Sequence, residues 1–378
     1  MKILWICGSR ILGGAERVTL QLATLLGARN HSVEALCRPD SGVAPALKRA
    51  GLATHSAWLG GPLNFRAVSV IRSALDDIAP DVALVTTADE WVWSCLALRR
   101  APRSRLVLVR HMAVPLNWRV RWLANRADAV VAVSDAVRRS LLGKVGVRPE
   151  RIHVIHNPVR FAPRAVPPRP HERARARAAL ALPEGGRWVG FFGGLSRAKG
   201  LRDVMSAVSR ANAQLGTTNL LVCGRSGDGG EPWSPTELTR EFGLEGRVRH
   251  LGEIEHIEEA LTAVDVVVLA THSVLSEALP ATLLEAMACG TPVLAYATGG
   301  VVEAIGEDER AGRLVRPDDI DHLSRTLVEV LADPTGAQQM AVVALERTRS
   351  LFDPQQAANR YEQLFHALCS RTPARTDG

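Results

Sequence analysis

Residues 265–300 read DVVVLATHSVLSEALPATLLEAMACGTPVLAYATGG. The apolar run at 266–270 suits a strand buried on both faces of a parallel sheet, and the polar loop behind it carries Glu277. A helix begins at about Thr282 and is stopped by Gly290 and Pro292. A second apolar run, 293–297, follows at once and ends at Gly299 and Gly300. Strand, loop, helix, strand is a βαβ unit. Ligands of such sheets collect beyond the carboxyl ends of the strands, where helix N-termini present unpaired N–H groups to anions, and Glu277 sits in that position.

The same alternation runs outward in both directions. Residues 2–7 form a strand, 8–14 a glycine-bearing loop, and Ala15 opens a helix with Val18, Leu22, Leu25 and Leu26 on one face. The GxGxxG spacing of dinucleotide binders is absent, which disfavours a nicotinamide cofactor. Gly13 and Gly14 suit either close backbone approach to a ligand or a tight turn. Apolar runs recur at 33–36, 82–85, 106–109, 129–133 and 153–155 between helical segments, implying an open, doubly wound parallel sheet. From 162 to 187 the composition shifts to Pro and Arg, a linker running into the first helix of a second domain. The pattern then restarts with a strand at 188–192, a loop at 193–200, a helix from Leu201 and strands at 220–223 and 248–252. The tail, 354–369, reads as a final helix, with 371–378 frayed.

At 378 residues, with 47% apolar residues and 31 glycines, the chain can fill two α/β domains. No apolar run approaches the roughly 20 residues of a membrane span. The opening MKILWICGSR reads as a first strand rather than a signal peptide. Six cysteines without metal-ligand spacing suggest reduced thiols in the cytoplasm rather than disulfides or a zinc site. Charge is unevenly spread: residues 1–165 hold 24 Lys and Arg against 11 Asp and Glu, a net +13, and residues 166–378 hold 22 against 28, a net −6. A basic first half attracts acidic partners: an anionic membrane surface, an acidic lipid-linked substrate or nucleic acid. Nucleic acid is the weakest of these, because no stacking-aromatic or helix-turn-helix pattern accompanies the charge.

His111 lies just past the 106–109 strand, at the edge where such sheets build sites. Pro115 then opens a helix over 116–126, LNWRVRWLANR. On it Leu116, Val120, Leu123 and Ala124 share one face, and Trp118 and Trp122 point away among Arg119, Arg121 and Arg126. Indoles favour the headgroup level of a bilayer and arginines favour anionic lipid, so this face is a candidate membrane patch, with Trp91 and Trp93 as additional members. The competing reading packs the indoles under a neighbouring loop.

Glu277 and Glu285, eight positions apart, would lie roughly 12 Å apart on a helix, beyond the 5–9.5 Å of paired glycosidase carboxylates. Two separate duties are implied. Glu285 is placed to accept bonds from vicinal hydroxyls, as acidic residues do for ribose, and Glu277 reaches another part of the ligand. Backbone N–H groups from Ala278 to Leu283 face anything anionic between them. That combination suits a nucleotide sugar. Lysines number only 4 against 42 arginines, so Lys199 in a glycine loop is a notable point charge for phosphate.

The run SEALPATLLEAMACGTPVLAYATGGVVEAI, 276–305, resembles the E-x7-E signature of retaining glycosyltransferases of the GT4 type. The resemblance extends to GGAER at 13–17, His111 after a strand, ADAVVAVS at 127–134, VIHNPV at 154–159, the Lys199-Gly200 loop and VRHLGEI at 248–254. It implies the α/β GT-B fold, two Rossmann-like doubly wound parallel-sheet domains facing across a cleft. An acceptor-side domain would span 1–165, with helix 354–370 packing back on it, and a donor-binding domain 166–353. By position, Glu277 would contact donor-sugar hydroxyls near the reacting carbon, Ala278 the sugar through its backbone, and His111 the sugar from the first domain. Lys199 would hold the diphosphate together with the backbone N–H groups available in the run Leu279, Pro280, Ala281, Thr282 and Leu283. Gly14 would add a backbone contact near the phosphate. Glu285 would take the ribose, and Arg225, Glu253 and Ile254 the base.

Two departures stand out. The family often has GRL-x-x-x-K-G where this chain has Gly193-Gly194-Leu195, so Gly194 replaces the usual phosphate-binding arginine and Arg197 is the candidate substitute. Pro158 follows Asn157 where the family usually has Gly. The implied reaction moves a sugar from a UDP- or GDP-linked donor to a hydroxyl with retention, without a metal, since no Asp-x-Asp pair is placed to bind one. The acceptor read from the basic half is lipid-linked or anionic, as in lipopolysaccharide, capsule or glycolipid assembly at the inner face of the cytoplasmic membrane. A soluble acceptor is the nearer alternative, and a non-catalytic nucleotide-sugar-binding protein the more distant one.

Overall fold

The structure, a computed structural model, describes residues 1–59, 61, 64–98, 104–113, 117–142, 146–225, 233–254, 256–274 and 277–370. Seven strands form a first sheet: β1 (Lys2–Cys7), β2 (Ser32–Cys37), β3 (Ala53–Ser56), β4 (Val82–Val85), β5 (Arg105–Arg110), β6 (Ala129–Ala132) and β7 (Ile152–Val154). They pair in parallel in the order 3-2-1-4-5-6-7. Six more, β8 (Arg187–Phe192), β9 (Thr218–Cys223), β10 (Val248–Gly252), β11 (Val266–Leu269), β12 (Val293–Tyr296) and β13 (Arg313–Val315), pair in parallel in the order 10-9-8-11-12-13. Each order reverses direction beside the sheet's first strand in sequence, the doubly wound pattern, so ligand positions are expected beside the carboxyl ends of β1 and β8.

The chain divides into two compact units: residues 1–160 together with the segment from Pro354 on, and residues 161–353. The division falls between Arg160 and Phe161, where the sequence reading set it after 165. Central strands carry apolar runs with polar residues at their ends, as strands covered on both faces do. Leu4, Trp5 and Ile6 of β1, Val107 and Leu108 of β5, and the whole of β11 and β12 are buried. In the second unit Val189, Phe191, Leu220, Val222, Val266 and Val268 share one core with Val204, Val208, Leu323 and Leu327 from helices Leu201–Leu215 and Ile320–Ala332. The strands absent from the sequence reading are the edge strands β3 and β13. They are short and partly exposed, so they carry no long apolar run.

The final helix, Pro354–Cys369, belongs to the first unit and is pinned there through Glu362. Its carboxylate accepts from Arg29 Nη1 at 2.5 Å and pairs with His31 Nε2 at 2.8 Å. Arg29 also donates to Asn359 and Gln355 side chains. The His31 hydrogen bond, and then Arg29, hold the Glu362 carboxyl below the usual carboxylate range. Its contribution is therefore complete above the ordinary glutamate range and is lost as the pH falls through the lowered value. Glu362→Ala should reduce stability near pH 7 by about 1 kcal/mol, discounted for partial exposure. Urea titration should find the gap between variant and wild type closing as the buffer is acidified toward pH 3.

Candidate active site

The carboxyl edge of the second sheet gathers the loops that sequence reasoning singled out. After β8 the chain makes one tight turn, Arg197–Lys199, and enters helix Leu201–Leu215 through Gly200 in the left-handed region at φ 72°. A Cβ on Gly200 would lie 2.0 Å from the Ala270 carbonyl oxygen, so only glycine lets this turn close against the end of β11. The contact is sealed by the His272 N–H, which donates to the Ala198 oxygen at 2.8 Å. On the other side of β11 a Cβ on Gly300 would lie 2.0 Å from the Ala278 oxygen, and the Gly300 N–H donates to the Glu277 oxygen at 2.7 Å.

These approaches bring Lys199 and Glu277 together. Lys199 Nζ donates to Glu277 Oε1 at 2.5 Å, and the same oxygen accepts from Thr271 Oγ1 at 2.9 Å. The carboxylate is largely enclosed, 15% exposed, and the lysine is 27% exposed. Four residues beyond Glu277, helix Ala281–Ala288 starts behind Pro280, whose ring makes no capping hydrogen bond. Its first N–H groups and the positive end of its dipole thus lie in the same segment as the ion pair. Leu279, Pro280 and Leu283 are buried, Ala278 and Thr282 are half-buried, and Ala281 is exposed. Glu285, one turn into the helix, is 4% exposed, so whatever it holds is held away from bulk water.

Two further sequence candidates also meet. Arg225, past β9, and Glu253, past β10, are 3.5 Å apart and half exposed, with half-buried Ile254 beside them. Just before them the Gly224 N–H donates to the Gly252 oxygen at 2.7 Å, and a Cβ on Gly224 would fall 1.8 Å from the Gly193 oxygen. Arg197 is exposed, with its guanidinium 4.8 Å above the Trp233 ring, and the backbone N–H of Trp233 donates to the Leu195 backbone oxygen at 2.7 Å. The sequence reading missed Trp233, Thr271 and Gly300. Trp233 is distant in the chain, Thr271 carries no motif, and Gly300, within the signature run and at the end of a strand, has no sequence signal for its close approach to Ala278.

In the first unit, His111 follows β5. Its Nε2 is buried without a hydrogen-bond partner among the described residues, and its Nδ1 lies 3.5 Å from Asn157 Nδ2. Burial, with the charge of Arg110 beside it, pushes the imidazole down to about 4, so it is neutral at pH 7. Gly14 is the first residue of helix Gly14–Gly27, and a Cβ there would meet nothing within 4 Å. Neither sterics nor φ requires glycine at 14. Among the described residues no group of three or more His, Cys, Asp or Glu is arranged to hold a metal ion.

The four tryptophans considered for a membrane patch divide into two pairs. Trp118 and Trp122, on helix Trp118–Ala124, are 56% and 52% exposed, with the Arg126 guanidinium 3.7 Å over the Trp122 ring. On this helix Ala124 is buried, while Val120, Arg121 and Leu123 are half-buried. Pro115, Leu116 and the Arg119 side chain lie outside the described residues. Trp91 and Trp93 do not join this patch. They are 1% and 3% exposed in helix Ala88–Leu98, where the Trp93 indole donates to the Gly61 oxygen and packs edge-on against Phe65.

Comparison with known proteins accounts for both halves. Residues 172–347 match the model of glycosyl transferases group 1, and residues 12–162 match that of glycosyltransferase family 4. The chain belongs to the GT4-type glycosyltransferases. Its fold is GT-B. The crystal structure of Anabaena HepE, solved with UDP and with UDP-glucose, superimposes at a TM-score of 0.84 for the UDP complex, with 22% identity over 97% of this chain and 100% of that one. The 2-deoxystreptamine glucosyltransferase of Streptomyces kanamyceticus is 31% identical over 62% of this chain and 58% of its own length. The D-inositol 3-phosphate glycosyltransferase of Mycobacterium bovis is 34% identical over 54% of this chain and 42% of its own. The chain thus spans about half the length of the curated relatives it matches.

Within the second unit the two glycines flanking β11 set the site spacing. Gly300→Ala should cost about 1–3 kcal/mol, since the backbone oxygen it meets cannot yield as a side chain would. Gly14→Ala, in open space, should leave stability within about 0.5 kcal/mol of wild type. Denaturant titration of both variants checks the contrast.

Proposed function

We propose that this protein is a retaining glycosyltransferase that moves a sugar from a UDP- or GDP-linked donor to an acceptor hydroxyl. The observation that carries the reading is the Lys199–Glu277 pair, 2.5 Å apart, just ahead of a helix N-terminus. A departing nucleoside diphosphate develops negative charge as the glycosidic bond breaks. The Lys199 ammonium and the N–H groups opening helix Ala281–Ala288 would be fixed in advance to stabilise it. Glu277, held by Thr271 as well as Lys199, would accept bonds from donor-sugar hydroxyls and orient the reacting carbon. Glu285 would bind the ribose, and the Arg225, Glu253 and Ile254 cluster the base. Arg197, held over Trp233, would assist at the phosphates in place of the arginine absent at Gly194. His111, neutral at pH 7, would meet the sugar as a hydrogen-bonding group, and Gly14 would leave room for a phosphate-side contact. On this reading the protein supplies the positive charge and needs no metal. The UDP and UDP-glucose complexes of HepE support a nucleotide-sugar donor. UDP release from UDP-glucose should persist in EDTA and fall at least about a hundredfold in kcat/KM, roughly 3 kcal/mol, in Glu277→Ala. Normal turnover in that variant would remove Glu277 from the site.

We further propose a lipid-linked or anionic glycan acceptor presented at a membrane surface, as in lipopolysaccharide, capsule or glycolipid assembly. The net +13 of residues 1–165 and the exposed Trp118, Trp122 and Arg126 support it, as does the placing of Arg119 and Arg121 on the same helix. Among the described residues no helix is long and apolar enough to cross a membrane, so attachment on this reading is peripheral. A second reading, a polyol acceptor in solution, is favoured by the relatives named for 2-deoxystreptamine and D-inositol 3-phosphate. Flotation with vesicles separates them. The membrane reading expects binding to anionic vesicles that salt weakens and Trp118→Ala/Trp122→Ala abolishes; no vesicle binding by the wild type favours the soluble acceptor, and binding unchanged in that variant removes Trp118 and Trp122 from the patch.

A further inference from the structure

We propose that Asp318 is a positioning residue for the transfer site, holding the loop that carries Thr271 and Glu277. It follows β13 and occupies the left-handed region at φ 60°, a conformation that favours glycine and strains most other residues. What the aspartate adds over glycine is its carboxylate. Oδ1 lies 2.5 Å from His272 Nδ1, and Oδ2 accepts from Ser273 Oγ at 2.5 Å. The bonds from Ser273 and then His272 hold the Asp318 carboxyl below the usual range, so it is ionised and His272 Nδ1 carries the proton between them.

The loop after β13 thereby reaches across the carboxyl end of β12 to grip the loop after β11. The grip extends further. The His272 N–H holds the Ala198 oxygen next to Lys199, and His272 Nε2 lies 3.7 Å from Asp203, whose carboxylate accepts from the buried Tyr296 hydroxyl at 2.8 Å. Thr271, the neighbour of His272, is the residue that donates to Glu277. One clamp on His272 and Ser273 therefore fixes both sides of the Lys199–Glu277 pair. Aspartate is among the side chains that tolerate this backbone, and here its carboxylate makes both bonds to the facing loop. The inference rests on the glycosyltransferase reading for its kinetic consequence, and on geometry alone for its structural one.

Two variants of the full chain test it. Asp318→Gly removes the carboxylate and relieves the backbone, so Tm should be unchanged or higher. The kcat for UDP release from UDP-glucose should fall about tenfold, with the donor KM within about twofold. Amide exchange in residues 270–279 should quicken. Asp318→Asn tolerates the same backbone and keeps one acceptor oxygen, so it should recover part of kcat. Full kcat in Asp318→Gly, an activity loss that only follows a lowered Tm, unchanged exchange in 270–279, or no recovery in Asp318→Asn would each overturn the proposal. If the wild type releases neither UDP from UDP-glucose nor GDP from a GDP-linked sugar, the donor reading fails, and the exchange comparison still decides whether Asp318 holds the loop.

Discussion

Backbone brought against backbone at two glycines sets the geometry of the second unit's site. Gly200 closes on the Ala270 oxygen and Gly300 on the Ala278 oxygen, each at a distance no β-carbon would allow. A parallel sheet delivers all its strands' carboxyl ends to one edge, but it does not specify how the loops leaving that edge pack together. The two close approaches do. Because Lys199 precedes Gly200 and Glu277 precedes Ala278, fixing the backbones leaves the two side chains within one hydrogen bond of each other. The charged pair is then a consequence of packing, and Thr271 completes it from the end of β11.

Much of this was legible because parallel strands buried on both faces write themselves as unbroken apolar runs. β1, β4 and β10 fall where those runs predict, and most of the others differ by a residue or two at an end. β3 and β13, at sheet edges, lack that signal. The site was legible where spacing encodes geometry: Glu277 ahead of a helix, Lys199 in a glycine loop, and Arg225 and Glu253 past neighbouring strands. It was not legible where a residue works through a partner far along the chain. Asp318 beside His272, Trp233 under Arg197 and Asn157 beside His111 are each set by tertiary packing. Trp91 and Trp93 illustrate the reverse error. Composition grouped them with Trp118 and Trp122, but their helix turns them into the core.

The first unit differs in charge and in kind. It carries an excess of basic residues, a neutral His111 whose Nε2 has no partner among the described residues, and the half-exposed indoles of Trp118 and Trp122. On the proposed reading, specificity for the acceptor lies in this unit and affinity for the donor in the other. That division fits a fold in which each sheet has its own carboxyl edge and its own loops, so one half can change its partner without disturbing the other's glycine-set spacing.

The most direct measurement is thermal shift of the purified protein against UDP, GDP, ADP, CMP and their common sugar conjugates, for wild type and Glu285→Ala. A ligand that binds only the folded state raises Tm by mass action. The account predicts a concentration-dependent rise with one nucleoside diphosphate family, UDP or GDP, that is lost in Glu285→Ala. A rise that survives unchanged in Glu285→Ala, or no rise with any nucleotide or nucleotide sugar, would contradict a donor site built on Lys199, Glu277 and helix Ala281–Ala288.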